Sequence, residues 1–305
     1  MYEDDNKGRK KWIIILILAV IGFGVSIGFV GWYLMQRRAE NEAMEKLREQ
    51  VVSETTPTPT AAPEADNFTE PEFTGEREGE AAEVPEGTAD SVNHWIDFAT
   101  LKGINSELYA WIYVPDTNID YPVAQHMDPN DQKYYLNYDF YGGGRYAGCI
   151  FSEYGTALDF SDPMTILYGH NMLDGSMFGD LHAFGDPGFF STHPYFFIYT
   201  EDRILIYEVF AAYHYDNRHL PTSFNFFDPN VLAQYLSEIR NLHTTVKNIR
   251  EEAYATADDK ILTLSTCISG EREKRMLVAA KQVFAGGYDE VEAAEQVIAS
   301  LTGGQ

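Results

Sequence analysis

Residues 260–284 read KILTLSTCISGEREKRMLVAAKQVF, and this stretch decides both the fold and the chemistry. Two runs rich in Leu, Val, Thr and Phe, residues 260–267 and 275–284, flank a short polar segment that contains a glycine. Such runs are typical of β-strands joined by a turn. If the two strands are antiparallel, Cys267 at the end of the first and Arg275 at the start of the second meet at one end of a sheet.

Cys267 has two interpretations. Unpaired cysteines are among the most buried residues, so a structural thiol is the ordinary one. A thiol nucleophile instead needs a nearby charge or base that favours the thiolate. Arg275 supplies such a charge, and it is also able to hold a substrate carbonyl or stabilise an oxyanion. Arg272 and Lys274 lie in the loop between the runs, where we expect solvated charges.

The base for such a thiol must come from elsewhere in the chain. His170 ends the apolar run MTILYGH (164–170) and precedes Asn171, so it too is expected at a strand end. The other seven histidines lack a comparable setting and are expected to have surface or packing roles: His94, His126, His182, His193, His214, His219 and His243.

The body of the chain predicts a β-domain. Its eight strand-like runs are YAWIYVP (109–115), YPVAQ (121–125), GCIFSEY (148–154), MTILYGH (164–170), FFIYT (196–200), RILIYEVFAAYHY (203–215), KILTLSTC (260–267) and RMLVAAKQVF (275–284). They are separated by Pro, Asn, Asp and Gly, which favour turns. Eight such strands in one domain predict a closed β-barrel or a sandwich.

Three helices accompany these strands. Residues 91–105 carry apolar side chains at helical spacing, with Asp90 or Ser91 as the N-cap. Those side chains are Val92, Trp95, Ile96 and Ala99. Residues 229–250 form the clearest helix, capped by Asp228 and starting with a proline. Its apolar stripe (Val231, Leu232, Tyr235, Leu236, Ile239 and Leu242) is expected to pack on the barrel. Residues 291–301 predict a last, weaker helix.

The N-terminal part predicts a membrane anchor. Residues 12–35 (WIIILILAVIGFGVSIGFVGWYLM) contain no charge, and about 20 apolar residues span a bilayer as a helix. A cleaved signal peptide is the rival interpretation, but its apolar core is usually only about 7–15 residues long. We therefore divide the chain into an N-terminal tail (1–11), an anchor (12–35), an acidic linker rich in Pro, Thr and Glu (36–90) and a folded body (91–305).

The net charge of −25 is unevenly spread along these parts. Residues 1–38 carry +3, residues 39–90 carry −12 and residues 91–305 carry −16. The acidic middle has few apolar residues, so it predicts a disordered spacer. The acidity of the body excludes nucleic acid as a partner, because phosphates attract basic surfaces.

The motifs resemble those of class B sortases. Tyr168-Gly169-His170-Asn171-Met172 is similar to the family's histidine motif, and Thr263-Leu264-Ser265-Thr266-Cys267 is similar to its TLxTC motif. Arg275 lies where the family's arginine follows the cysteine. The likeness runs from about residue 92 to 286 and includes the long helix before the cysteine strand.

The resemblance implies a mainly β fold with accessory helices. The expected fold is an eight-stranded sortase-type barrel with an N-terminal helix and a long helix before the cysteine strand. It implies a membrane-anchored cysteine transpeptidase that cuts an Asn-Pro-x-Thr-Gly-like sorting motif between Thr and Gly. The acyl group then passes to a peptidoglycan amine.

The same resemblance implies the site. Cys267 is the expected nucleophile, His170 the acid and then the base, and Arg275 the oxyanion-stabilising group. Leu136, Asn171, Ser265 and Thr266 are the expected substrate contacts. The implied partners are secreted proteins with a sorting signal, a precursor or cross-bridge amine, and membrane lipid around the anchor. The resemblance makes residues 91–305 the sortase catalytic domain, expected outside the cell, and residues 1–11 a cytoplasmic tail.

Other functions stay open on the sequence. A pilus-polymerising sortase with a lysine acceptor, a cysteine protease and a non-catalytic membrane-tethered binding module are the alternatives. No cofactor or metal is expected, because no HExxH, CxxC or EF-hand pattern is present. Cys149 is expected to be a small buried side chain and to form no disulfide with Cys267.

Overall fold

The computed structural model describes residues 4–53 and 94–303, and the chain forms two compact units, Met1–Val52 and Ser53–Gln305. The first unit contains helix α1 (Asp4–Val51). Within the described residues, α1 carries the one apolar stretch long enough to cross a bilayer, and a signal sequence near an N-terminus shares these properties. Its described apolar side chains from Ile15 to Met35 are almost all exposed. Residues 36–51 of the predicted linker belong to α1, while residues 54–90 lie outside the described residues, so the disordered spacer stays a prediction.

A closed β-barrel forms the body of the second unit. Two-residue strands β1 (Val52–Ser53) and β2 (Trp95–Ile96) precede it. The barrel strands are β3 (Leu108–Tyr113), β4 (Asp120–Gln125), β5 (Ile150–Ser152), β6 (Met164–Tyr168), β7 (Tyr195–Tyr199), β8 (Ile204–Asp216), β10 (Ile261–Ile268) and β11 (Glu271–Gly286). A ninth strand, β9 (Lys247–Ile249), pairs with β8.

Strand pairing closes the sheet. The order is β11–β10–β6–β5–β4–β3–β7–β8, and β8 pairs back onto β11. The β6–β10 and β4–β5 pairs are parallel, while the other neighbouring pairs are antiparallel. The predicted eight-stranded barrel is confirmed, and each of the eight predicted runs overlaps one of its strands.

The helices are α2 (Phe98–Ile104), α3 (Pro187–Thr192), α4 (Leu220–Ser223), α5 (Pro229–Asn241) and α6 (Val291–Thr302). Short 3-10 helices cover Tyr134–Leu136, Gly179–Gly185 and Glu251–Ala253. The last predicted helix corresponds to α6, which begins at the predicted residue and extends one residue further.

The first helix of the domain begins later than predicted. Trp95 and Ile96 lie in β2, and Asp97 is the N-cap of α2 because its side chain accepts a hydrogen bond from the Thr100 amide. The helical interpretation of residues 91–96 was therefore wrong for Trp95 and Ile96, while Ser91 and Val92 lie outside the described residues. Trp95 stacks on the ring of Tyr288, with 4.5 Å between centroids, so tertiary packing accounts for its apolar side chain.

Helix α5 packs on the barrel through the predicted stripe. Asp228 caps it as expected, and Leu232, Tyr235, Leu236 and Ile239 are buried. They join a core cluster with Phe210 and Tyr213 of β8 and with residues of β10 and β11. The hydroxyls of Tyr213 and Tyr235 are 2.9 Å apart, so this buried contact also satisfies its polar atoms.

The predicted extent of this helix, residues 229–250, was wrong. The helix ends at Asn241, and Leu242 is already extended. Thr244, Thr245 and Val246 follow, and such β-branched side chains favour extended backbone. Residues 247–249 form β9 against β8, where sheet pairing replaces the helical hydrogen bonds.

Candidate active site

Cys267 lies near the end of β10 with its side chain exposed. It pairs with Arg275 of β11, and the register shifts immediately after it, between Cys267 and Ile268. Such a bulge bends a strand and redirects the side chain beside it. Arg275 also pairs with Tyr215 of β8 on its other side. The antiparallel turn therefore brings the thiol and the guanidinium residue opposite each other, as the sequence predicts.

His170 comes to the same end of the barrel on a neighbouring strand. In the parallel β6–β10 pair, Tyr168 lies opposite Ser265, so His170 and Cys267 each lie two residues beyond a paired position. The Gly169 amide donates to the Ser265 carbonyl at 3.2 Å. The Thr266 hydroxyl donates to the Gly169 carbonyl at 2.8 Å. These two bonds hold the segment before the histidine against the segment before the cysteine.

The His170 ring has a defined orientation. Its Nε2 lies 2.8 Å from the Leu136 carbonyl oxygen. Since a carbonyl only accepts, Nε2 carries the proton and donates, which leaves Nδ1 for exchange of a second proton. The Tyr146 ring stacks on the imidazole with 5.4 Å between centroids. Leu136, a predicted substrate contact, thus also supplies the acceptor that orients the histidine.

A polar network fixes the 3-10 turn that carries the Leu136 carbonyl. The Tyr135 hydroxyl donates to Glu107 at 2.6 Å, and Glu107 also accepts from the Met127 amide at 2.9 Å and contacts His126 Nδ1 at 3.0 Å. Burial alone would raise the pKa of Glu107, but the hydrogen bonds from Tyr135, His126 and Met127 outweigh it and lower that pKa. An ionised Glu107 therefore anchors the turn.

This network was not foreseen from the sequence, and His126 was assigned no role. Each of these partners of the Glu107 carboxylate lies 19 residues or more from it along the chain. No local pattern marks such a contact.

Arg275 uses part of its guanidinium on its own strand. Its Nη1 donates to the carbonyls of Arg272 at 3.0 Å and Lys274 at 2.8 Å. A guanidinium has five N–H donors, so further donors are available to a substrate. Lys274 lies in β11 and not in a loop as predicted, but its side chain is exposed and forms an ion pair with Glu271, in line with a solvated charge.

A cavity of about 220 Å³ joins these elements. Cys267, Arg275, Leu136, Ser265 and Thr266 all line it. The described wall also includes Lys133, Phe151, Glu153, Tyr168, Gly169, Tyr215, Asp216, Asn217, Arg218, His219, Leu220 and Leu277. The Thr266 side chain is only 2% exposed and is bonded to Gly169, so its hydroxyl is already used within the protein.

Asn171 does not line this cavity. Its Nδ2 donates to the Ser269 hydroxyl at 3.1 Å, and both residues line an open cleft separate from the first cavity. His182 lines this cleft as well, and its Nε2 lies 3.1 Å from the Cys267 carbonyl. The sequence assigned no role to His182, which is 85 residues from Cys267 and carries no local signal.

The surroundings of the second cysteine, Cys149, keep its thiol protonated and unreactive. Cys149 is buried, and burial raises the pKa of its thiol well above the ordinary value. Both cysteines are free, as predicted. Within residues 4–53 and 94–303, no group of three or more His, Cys, Asp or Glu side chains is placed to hold a metal ion.

Comparison with known proteins agrees with this arrangement. The sortase domain family model matches residues 112–283. Sortase B of Listeria monocytogenes is 34% identical over 191 residues, which cover 60% of this chain and 72% of the relative. Sortase B of Staphylococcus aureus is 31% identical over 186 residues, which cover 60% and 73%.

Solved structures give the same result. The crystal structure of Clostridium perfringens sortase B matches with a TM-score of 0.54 and 30% identity, over 62% of this chain and all of the other. An exposed thiol, an oriented imidazole and a guanidinium at one barrel end suit acyl transfer through a thioester. The chain belongs to the sortase family, as a class B member, and it is a cysteine transpeptidase.

Proposed function

We propose that this enzyme is anchored in the membrane and attaches secreted proteins to peptidoglycan. It cleaves an Asn-Pro-x-Thr-Gly-like sorting motif between Thr and Gly and transfers the acyl group to a peptidoglycan amine. The observation that carries the proposal is the exposed thiol of Cys267, opposite Arg275 and on the strand next to the one that leads to His170. Class B sortases as relatives support this substrate class.

The proposed first half-reaction breaks the peptide bond. The Cys267 sulfur attacks the threonine carbonyl carbon, and donors of Arg275 stabilise the negative oxygen of the tetrahedral intermediate. The protonated His170 gives its Nδ1 proton to the leaving glycine amine, because Nε2 is held by the Leu136 carbonyl. The products are a thioester on Cys267 and a free amine.

The proposed second half-reaction restores the enzyme. An amine attacks the thioester carbonyl, and His170 Nδ1 takes the proton that this amine loses. The new amide forms as the carbon–sulfur bond breaks and the Cys267 thiolate leaves. Ser265 and Thr266 in the cavity wall and Asn171 in the neighbouring cleft complete the proposed set of substrate contacts with Leu136.

Peptide assays test the chemistry. The full-length protein in detergent is incubated with sorting-motif peptides, with and without amine acceptors, beside Cys267→Ala and the matched control Cys149→Ala. We expect amine-dependent product from the wild type and from Cys149→Ala, and none from Cys267→Ala. Equal product from Cys267→Ala refutes the mechanism, and hydrolysis that no amine changes indicates a protease. A pilin lysine as the only productive acceptor indicates pilus assembly, and binding without turnover indicates a binding module.

We also propose the division into tail (1–11), anchor (12–35), linker (36–90) and external catalytic domain (91–305). The apolar stretch of α1 supports an anchor, and the location of sorting substrates outside the cell supports the orientation. A membrane-impermeant thiol reagent tests it on intact cells, because Cys267 is exposed and Cys149 is buried. We expect the reagent to label the protein on intact cells, and we expect this labelling to depend on Cys267. Labelling that appears only after the cells are lysed contradicts the orientation.

A further inference from the structure

A second cavity of about 490 Å³ adjoins the cysteine cavity and has no part in the proposed chemistry. Its walls come from the segment after β5 and from α4 with the loop that follows, and its floor comes from β6. Four of the wall side chains are aromatic (Tyr154, Phe224, Phe226 and Phe227), and polar side chains such as Asp162, Thr222 and Asn225 line other parts of the cavity. Phe227 is 70% exposed there, although burial of such a side chain is favourable.

The two cavities adjoin each other. They share Glu153, Tyr168 and His219 as lining residues. His219 Nε2 lies 2.7 and 2.8 Å from the two carboxylate oxygens of Glu153, and Glu153 is 8% exposed. This contact ties the start of α4 to the segment after β5 at the border between the cavities.

The junction offers a hydrogen-bond donor. The Tyr168 hydroxyl is buried and has no hydrogen-bond partner among the described residues. Burial raises the pKa of Tyr168, so the phenol stays protonated and able to donate. An extended peptide that passes this point presents backbone carbonyls, which are suitable acceptors.

The chemistry decides which part of a substrate lies in this direction. His170 must face the leaving amine, and the residue after it, Asn171, lines the open cleft, which shares no lining residue with the first cavity. The acyl part stays on Cys267, which lines the first cavity, so the chain N-terminal to the cleaved bond leads from the first cavity towards the adjoining second one.

We infer that the second cavity is a subsite for a bulky apolar or aromatic side chain, carried by the substrate segment N-terminal to the sorting motif. This inference rests on the proposed function. Its volume suits one large side chain with part of the backbone, within the range of small-ligand pockets. The enzyme then selects substrates by residues outside the motif that it cleaves.

Extended peptides test the subsite with the full-length enzyme in detergent. Each peptide carries the motif and six upstream alanines, and one alanine at a time is replaced by phenylalanine. We expect one position at which phenylalanine lowers KM about fivefold with little change in kcat, since the contact is equal in ground and transition states. The variant Phe227→Ala should lose this preference and should process the all-alanine peptide like the wild type.

Tyr141→Ala is the matched control, because Tyr141 is a half-exposed aromatic residue that lines neither cavity. It should keep the phenylalanine preference. Equal KM for all peptides in the wild type, or an unchanged preference in Phe227→Ala, overturns the subsite and leaves the proposed function standing. Absence of any Cys267-dependent product from the wild type overturns the proposed function and the subsite together.

Discussion

Thr266→Val tests how the cysteine strand and the histidine strand are held together. The Thr266 hydroxyl donates to the Gly169 carbonyl at 2.8 Å, and the side chain is 2% exposed. Valine keeps the shape of threonine but removes this donor. A buried acceptor that loses its donor costs about 1–3 kcal/mol. For a domain of this size, about 2 kcal/mol corresponds to a fall of about 4–8 °C in the unfolding temperature.

Thr266→Ser provides the matched comparison, because serine keeps the donor and loses only a methyl group, worth about 0.8 kcal/mol. Thermal unfolding of the two full-length variants in detergent measures the difference, and turnover of a motif peptide reports on the site. Thr266→Val should unfold at a lower temperature than Thr266→Ser, and it should lose more activity because Gly169 directly precedes His170. A valine variant as stable and active as the serine variant would refute the reasoning.

Gly148→Ala should destabilise the protein by about 3 kcal/mol, because φ is +64° and the new Cβ would lie 2.3 Å from the Tyr135 carbonyl oxygen. Gly155→Ala is the control: φ is +86° but the space around it is open, so it should cost only about 1 kcal/mol. Equal midpoints of urea unfolding for the two variants would contradict this prediction. A thiol reagent should label one cysteine, Cys267, in the native protein, and Cys149 only after denaturation; two fast-reacting native thiols would be the contrary result. Hydrogen bonds outweigh burial and lower the pKa of Glu107, so the ionised carboxylate stabilises the folded protein at neutral pH. This contribution to the free energy of unfolding is lost as the pH falls through the lowered pKa. In Glu107→Gln, the free energy of unfolding, measured with urea at a series of pH values, should therefore fall less steeply in acid than in the wild type. An equally steep fall in the two proteins would contradict this prediction.

Local patterns were sufficient for much of the fold. Strand runs were predicted well because β-branched and aromatic residues cluster between turn residues, and all eight runs overlap strands. Helix ends were less predictable. The helix predicted to reach Arg250 stops at Asn241, because β9 gains sheet hydrogen bonds that no local propensity reveals.

The candidate site divides in the same way. Cys267 and Arg275 face each other across one antiparallel strand pair, so their spacing in the sequence was enough to place them together. The contact between His170 and Leu136 spans 34 residues, and that between His182 and Cys267 spans 85. Contacts of this separation depend on how the strands are ordered around the barrel, which no short motif encodes.

The sequence by itself was enough to recognise the three motifs of the family, the acidic stretch between the apolar segment and the body, and the side chains that lie at strand ends. Each of these depends on neighbours in the chain. The tertiary structure decided that Nε2 of His170 is held by a carbonyl, that Glu107 anchors the turn bearing that carbonyl, and that a second cavity adjoins the first. Barrel closure is the physical reason, since the β6–β10 pairing and the β8–β11 closure bring together backbone and side chains that are far apart in sequence.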